Sequence, residues 1–190
     1  MDAFVYLRVA PGKIEDVVIA LRGHHRIRHT VAVVGAWDVM VAVEAADFES
    51  IARTVLRQIQ ATEGVLHTYT APVVPLTTLG IYAGGPGMPA MPMHSPGPAC
   101  YVHIRAAAGA GSVAGIVQAL VAMDDVAGVA VMAGEHDVVA EIPLTWEEAA
   151  PVILEKIHTI AGVSATTTLV AVPEFGEDTD EDAEPFSTWA

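Results

Sequence analysis

The chain has 190 residues, of which 53% are hydrophobic and 17% charged, and a formal net charge of −14 at pH 7. The length suits one ordinary domain or two small ones. The charge argues against nucleic acid, whose phosphates require clustered Lys and Arg, and no apolar run reaches the ~18 residues a membrane helix needs. Basic residues are few, namely Lys13, Lys156 and seven arginines, with Arg8, Arg22, Arg26 and Arg28 forming a local cluster.

The N-terminus, Met1-Asp2-Ala3-Phe4, has no basic stretch and no cleavage-site pattern. Cys100 is the only cysteine, so no internal disulfide is available. Together these lead us to expect a cytoplasmic protein.

In chain order, a strand is predicted over 4–10. A helix follows, with Ile14, Val17, Val18 and Leu21 on one face. Two β-rich runs, 30–34 and 37–44, flank the turn Gly35-Ala36-Trp37-Asp38. A second helix carries Phe48, Ile51, Ala52, Val55, Leu56 and Ile59, the spacing of an apolar helix face. Gly64-Val65 and the Thr-rich stretch Thr68-Tyr69-Thr70 close this unit.

The same pattern then recurs about 98 residues later. A strand over 100–107 carries Arg105 where the first carries Arg8. Val113, Ile116, Val117 and Leu120 repeat the first helix. The runs 128–132 and 137–142 flank Gly134-Glu135-His136-Asp137. Trp146, Ala149, Ala150, Ile153, Leu154 and Ile157 repeat the second helix, and Gly162-Val163 leads to Thr166-Thr167-Thr168.

Each copy therefore reads β-α-β-β-α-β, which gives an α+β, ferredoxin-like unit with a four-stranded antiparallel sheet and both helices on one face. The organisation expected is a first repeat over 1–76, a Gly/Pro/Met-rich linker over 77–98, a second repeat over 99–173, and an acidic, disordered tail over 174–190. Met40 and Ala42 lie opposite Val39, Val41 and Val43 in the strand alternation. The open sheet face is thus apolar and needs a partner. The two repeats are expected to pair sheet to sheet into a barrel-like sandwich, within one chain or between chains. Pro151 should kink the second helix of the second copy or displace its start, although Thr145-Trp146-Glu147-Glu148 has the form of a capping box.

Several motifs reduce to ordinary structure. Gly109, Gly111 and Gly115 follow a strand and open a helix, but without the parallel unit a dinucleotide fingerprint requires. Met88, Met91, Met93 and His94 could hold a soft metal, yet in a Pro-rich linker they read as adaptable apolar filler. His24, His25 and His29 have no counterpart in the second copy, so no metal site is assigned. No nucleophile–base signature is present and no catalytic residue is assigned. The chain is read as a non-enzyme without a cofactor.

The strongest candidate site is the repeated G-x-x-D turn. Glycine permits a tight turn whose N–H groups can meet a carboxylate, and the Asp could accept from an ammonium. The competing reading is a hairpin turn whose Asp caps its own backbone.

The ordered set Val9-Ala10-Pro11-Gly12-Lys13, Val33-Val34-Gly35-Ala36-Trp37-Asp38-Val39, Glu63-Gly64-Val65 and Thr68-Tyr69-Thr70 resembles the effector-binding domain of the Lrp/AsnC (feast/famine) regulators. The second copy keeps Gly134-Glu135-His136-Asp137-Val138, Ala161-Gly162-Val163 and Thr166-Thr167-Thr168, but has Ala108-Gly109-Ala110 in place of Pro-Gly-Lys. The resemblance implies a stand-alone, duplicated sensor domain lacking the helix-turn-helix, with no direct DNA binding. It implies a small effector such as an amino acid, a homo-oligomer or intrachain pseudo-dimer, and a regulator protein as a possible partner. Carried over, the ligand-binding residues would be Gly35, Trp37, Asp38, Thr68 and Thr70, with Gly134, His136, Asp137, Thr166 and Thr168. A runner-up is a ferredoxin-like-barrel monooxygenase or haem-type enzyme, for which His103 and Arg105 are the hints. A third reading is a structural scaffold.

Overall fold

Alternation along the strands decides the architecture. Strand β1 (Asp2–Val9) turns Val5 and Leu7 to one face and Phe4 and Tyr6 to the other, and all four are buried. A strand apolar on both faces must be covered twice. In the computed structural model the helices cover one face and the opposing repeat covers the other. The structure describes residues 1–81, 91–93, 97–109 and 112–172. Met88, His94, Gly111 and the acidic tail lie outside the described residues.

The first repeat continues with α1 (Ile14–Leu21), β2 (Ile27–Val34), β3 (Val39–Glu44), α2 (Phe48–Thr54) and β4 (Val65–Val74). The second comprises β5 (Cys100–Ala106), α3 (Ser112–Val121), β6 (Gly128–Met132), β7 (Val138–Ile142), α4 (Trp146–Pro151) and β8 (Val163–Ala171). Each repeat forms an antiparallel sheet, and the two sheets join edge to edge into a closed barrel of order β1-β3-β2-β8-β5-β7-β6-β4. The seams are short. Val33 and Val34 pair with Ala171 and Val170, and Val73 and Val74 pair with Met132 and Val131. Closure removes the exposed edges that each four-stranded sheet would otherwise present.

Three apolar cores follow. One lies beneath α1 and α2, with Val5, Leu7, Val39, Val41 and Val43. Its counterpart beneath α3 and α4 contains Val102, Ile104, Val138, Ala140 and Ile142. The third fills the barrel and contains Phe4, Tyr6, Met40, Ala42, Tyr101 and Leu169. Met93 of the inter-repeat segment is buried in this interior core. Its N–H donates to Oε2 of Glu141 at 3.1 Å. Glu141 is itself fully buried.

The second helices follow the sequence reading and then depart from it. Asp47 caps α2 by accepting from the Ser50 N–H at 2.7 Å. The Glu148 carboxylate reaches back to Thr145, accepting from its hydroxyl at 2.9 Å and its N–H at 3.3 Å. Pro151 does not displace the start of α4. The helix widens into a π-helical turn directly after it, over Val152–Lys156. The first repeat widens likewise over Val55–Ile59 although Arg53 occupies the proline's place. The wide turn therefore belongs to the repeat and is not imposed by proline alone. The buried face is also narrower than the apolar one. Ile51, Val55 and Ile59 are buried, as are Ala149, Ile153 and Ile157, while Phe48, Leu56, Trp146 and Leu154 stay exposed.

Candidate functional site

Toward one end, Met93, Phe4 and Tyr101 are part of the buried interior core. At the other end a cavity of about 240 Å³ opens between the two repeats. The first repeat lines it with Tyr6, Ala36, Trp37 and Tyr69. The second contributes His103, Arg105, Met132, Glu135, His136, Thr167 and Leu169. Strand alternation explains the choice. Tyr6 on β1, His103 and Arg105 on β5, and Tyr69 on β4 all occupy interior positions of their strands.

At the base of the cavity, His103 and Tyr6 form a fixed pair. Their contact is 2.8 Å between Nε2 and the phenolic oxygen, and the His103 Nδ1 lies 3.2 Å from the Tyr101 carbonyl. Burial, with His136 adding a smaller push in the same direction, drives the His103 pKa down to about 3. The imidazole is therefore neutral near pH 7. A carbonyl only accepts, so Nδ1 carries the proton and Nε2 accepts from the Tyr6 hydroxyl. Burial also raises the Tyr6 pKa, which keeps that hydroxyl protonated. Met132 Sδ lies 3.4 Å from the same oxygen.

Aromatic rings form one wall. Tyr6 stacks on Tyr69 with centroids 5.8 Å apart, and Trp37 stacks on Tyr69 at 6.0 Å and on His67 at 5.9 Å. The guanidinium of Arg8 sits 5.6 Å from the Trp37 centroid on the outer side. The facing rim is polar. Arg105 Nε donates to the Glu135 carbonyl at 3.1 Å, which holds a permanent positive charge at the mouth. His136 lies edge-on to His103 at 5.5 Å. Its pKa is lowered by burial and then by Arg105.

The residues singled out in the sequence separate into two groups. Trp37 and His136 reach the cavity. Asp38 and Asp137 bind backbone instead: Oδ2 of Asp38 accepts from Val9 N–H at 2.9 Å, and Oδ2 of Asp137 accepts from Ala106 N–H at 2.7 Å. Both N–H groups lie at a register shift, between Arg8 and Val9 and between Arg105 and Ala106. A bulge frees a donor from the ladder, and the carboxylate satisfies it, locking the turn onto the neighbouring strand. Thr68 accepts from Gln60 Nε2 at 2.7 Å, and Thr166 lies 2.7 Å from His158 Nε2. Both are on the helix-facing side of their strands, which Thr70 and Thr168 share by alternation. Tyr69 and Thr167, between them, meet the cavity.

The two turn glycines serve close approaches between repeats. Gly35 has φ +146°, and a Cβ there would lie 2.9 Å from the Thr168 carbonyl. A Cβ on Gly134 would collide with the Tyr69 hydroxyl, which accepts from the Glu135 N–H at 2.5 Å. His24 and His25 stack on each other at 4.7 Å, away from the cavity. Among the described residues, no group of three or more His, Cys, Asp or Glu could hold a metal ion.

Sequence reasoning misses Tyr6, Tyr69, Glu135 and Thr167 as site residues. For the three on strands the available signal is parity: each occupies an interior position, and a one-residue step separates Tyr69 and Thr167 from the threonines beside them. No pattern signal marks Glu141, because an acid in a half-apolar run is ordinarily taken to face water.

Residues 2–75, the first repeat, match the family model of the Lrp/AsnC ligand binding domain. Among solved structures, siroheme decarboxylase NirDL aligns over 90% of this chain and 71% of its own, at 11% identity and a TM-score of 0.63. The same enzyme with an iron-uroporphyrin III analogue gives the same TM-score of 0.63. Shorter matches include the Thermus thermophilus protein TTHA0845, at 26% identity over 36% of this chain and 86% of its own, TM-score 0.35. The Neisseria meningitidis regulator NMB0573, in complex with L-Met, matches at 13% identity over 57% of this chain and 71% of its own, TM-score 0.39. No curated protein matches the chain.

These findings support the tandem ferredoxin-like fold and a small-molecule-sensing domain in the first repeat. They also correct one expectation. The sequence reads as a non-enzyme because no catalytic signature is visible, yet the architecture over 90% of the chain is one an enzyme uses. Local motifs cannot reveal this, because the titratable groups here come from strands far apart in the chain and meet only inside the barrel.

Proposed function

We propose that the barrel mouth binds a small zwitterionic metabolite, an amino acid or a close relative, as an effector. The observation that carries this is the pairing of opposite charges beside an aromatic wall. Arg105 offers a bidentate donor for a carboxylate, Glu135 offers an acceptor for an ammonium, and Tyr6, Trp37 and Tyr69 supply apolar surface for a side chain. In this reading Trp37 and His136 of the two turns contact the ligand, and Gly35, Gly134, Asp38 and Asp137 hold those turns in place. The cavity volume of about 240 Å³ lies below the ~300–1,000 Å³ of drug-sized ligand pockets, which favours an amino acid over a macrocycle.

A ligand that binds only the folded state raises thermal stability, by about 2.7 kcal/mol at a hundredfold excess over Kd. A thermal-shift screen of amino acids and related acids should give a hit that Arg105→Ala and Trp37→Ala each remove. A hit unaffected by both substitutions would place binding elsewhere and overturn the reading.

The neutral His103–Tyr6 pair at the cavity base favours a second reading, in which the same site transforms its ligand. These two side chains can hold and move a proton while remaining shielded from bulk water. Mass spectrometry of the hit ligand after prolonged incubation distinguishes the two. A product lost in His103→Gln supports catalysis, and quantitative recovery of unchanged ligand counts against it.

A further inference from the structure

The second helices of both repeats carry more apolar surface than the barrel uses. In α2 and its π-helical extension, Phe48 and Leu56 are 53% and 61% exposed, and in α4 and its extension Trp146 and Leu154 are 47% and 61% exposed. Ala52 and Ala150, half-buried, fill the intermediate positions. Each set is spaced four residues apart and forms one stripe along the helix. A scattered exposed Leu needs no explanation. The same three positions left apolar in both repeats form a patterned surface of the kind that marks an interaction site.

Charge distinguishes the two stripes. Over residues 48–60 there are two arginines, Arg53 and Arg57, against Glu49, whereas over 146–158 Glu147, Glu148 and Glu155 stand against Lys156. Arg57 and Glu155 occupy equivalent places, each next to the exposed leucine, and both are exposed. The two helix pairs cover separate cores on opposite flanks of the barrel.

We propose that the α2 stripe of one molecule docks on the α4 stripe of a second copy, Phe48 and Leu56 against Trp146 and Leu154, with Arg57 meeting Glu155. The apolar contact holds the pair, and the charges select α2-on-α4 over α4-on-α4, which would oppose two acid-rich faces. Such a contact is head-to-tail. Each added molecule presents a fresh stripe on its far flank, so assembly continues into a chain or closes as a ring. This surface is remote from the cavity, and the proposal does not depend on what the cavity binds.

The test uses sedimentation of the full chain across a concentration series. Wild type should grow beyond twice its 19.9 kDa monomer mass. Leu56→Glu alone and Leu154→Glu alone should each stay monomeric, because each keeps one usable stripe. Mixed in equal amounts, they should form a heterodimer that grows no further. Both leucines are exposed, so folding should survive, which a melting curve checks. Independently, Arg57→Glu or Glu155→Arg alone should weaken association a few-fold, and the two together should restore it. A wild type that stays monomeric at every concentration overturns the proposal. So does a Leu154→Glu variant that still dimerises by itself, since its α2 stripe would then be pairing with a copy of itself.

Discussion

The two repeats share element order, turn geometry and even a π-helical turn at matching positions, yet they equip the barrel interior differently. At matched interior positions the first repeat places Phe4, Tyr6, Trp37, Ala42 and Tyr69, and the second places Tyr101, His103, His136, Glu141 and Thr167. The first set is mostly aromatic, and the second brings two imidazoles and a carboxylate. The backbone contacts that fasten each turn, Asp38 to Val9 and Asp137 to Ala106, are the same in both. Scaffold residues are thus duplicated, and the residues that line the cavity have diverged. A duplicated chain can do this because its two halves need not mutate together, unlike the identical subunits of a symmetric dimer.

The largest test of this asymmetry is acid stability. His103 titrates near pH 6.5 when unfolded and at about 3 when folded. Between those values the unfolded chain binds the extra proton, so stability is full above about pH 6.5 and falls as pH drops toward 3. The loss is on the order of 5 kcal/mol. Urea titrations of His103→Gln should show a flatter acid limb, whereas Tyr6→Phe in the first repeat should leave the limb in place. Equal limbs for His103→Gln and wild type would refute the assignment.

A second contrast sits deeper in the barrel. Glu141→Ala should cost about 2–3 kcal/mol by leaving the buried Met93 N–H without its acceptor, while Ala42→Gly at the matched position should cost about 0.5–1 kcal/mol. Chemical denaturation measures both.

The shared scaffold makes the opposite prediction. Asp38→Ala and Asp137→Ala should destabilise by similar amounts, about 1–2 kcal/mol each, because each orphans one strand-end N–H. A large difference between the two would mean that one turn holds more than its backbone. The smallest effect concerns the glycines. Gly134→Ala should be partly rescued by Tyr69→Phe, with a coupling of about 0.5–1 kcal/mol in a double-mutant cycle. Gly35→Ala should be rescued less by a smaller side chain at Leu169, which a Cβ would also meet at 2.9 Å, because its own φ and the Thr168 carbonyl are backbone obstacles that remain.

Much of the fold is legible in the sequence. Helix spacing, strand alternation and the repetition of both suffice for the duplicated β-α-β-β-α-β order, and the apolar second face of β3, Met40 and Ala42, indicates sheet pairing. The site is less legible. Periodicity reports which face a residue is on, but not which face encloses a cavity, so the threonines of β4 and β8 draw more notice than Tyr69 and Thr167 between them. His103 and Arg105 can be seen on β5, whereas the partner that fixes His103, Tyr6, is 97 residues away in sequence. The second helices mislead in the other direction. Their apolar spacing includes Phe48, Leu56, Trp146 and Leu154, which the core does not use.

The two ends of the barrel interior differ, with a kinetic consequence. Buried in the interior core and anchored to Glu141, Met93 fills part of the barrel away from the cavity. A molecule entering the cavity at its mouth passes Trp37, Arg105 and His136. Because these residues also contact the proposed ligand, substitutions there should shorten its residence time and weaken binding together.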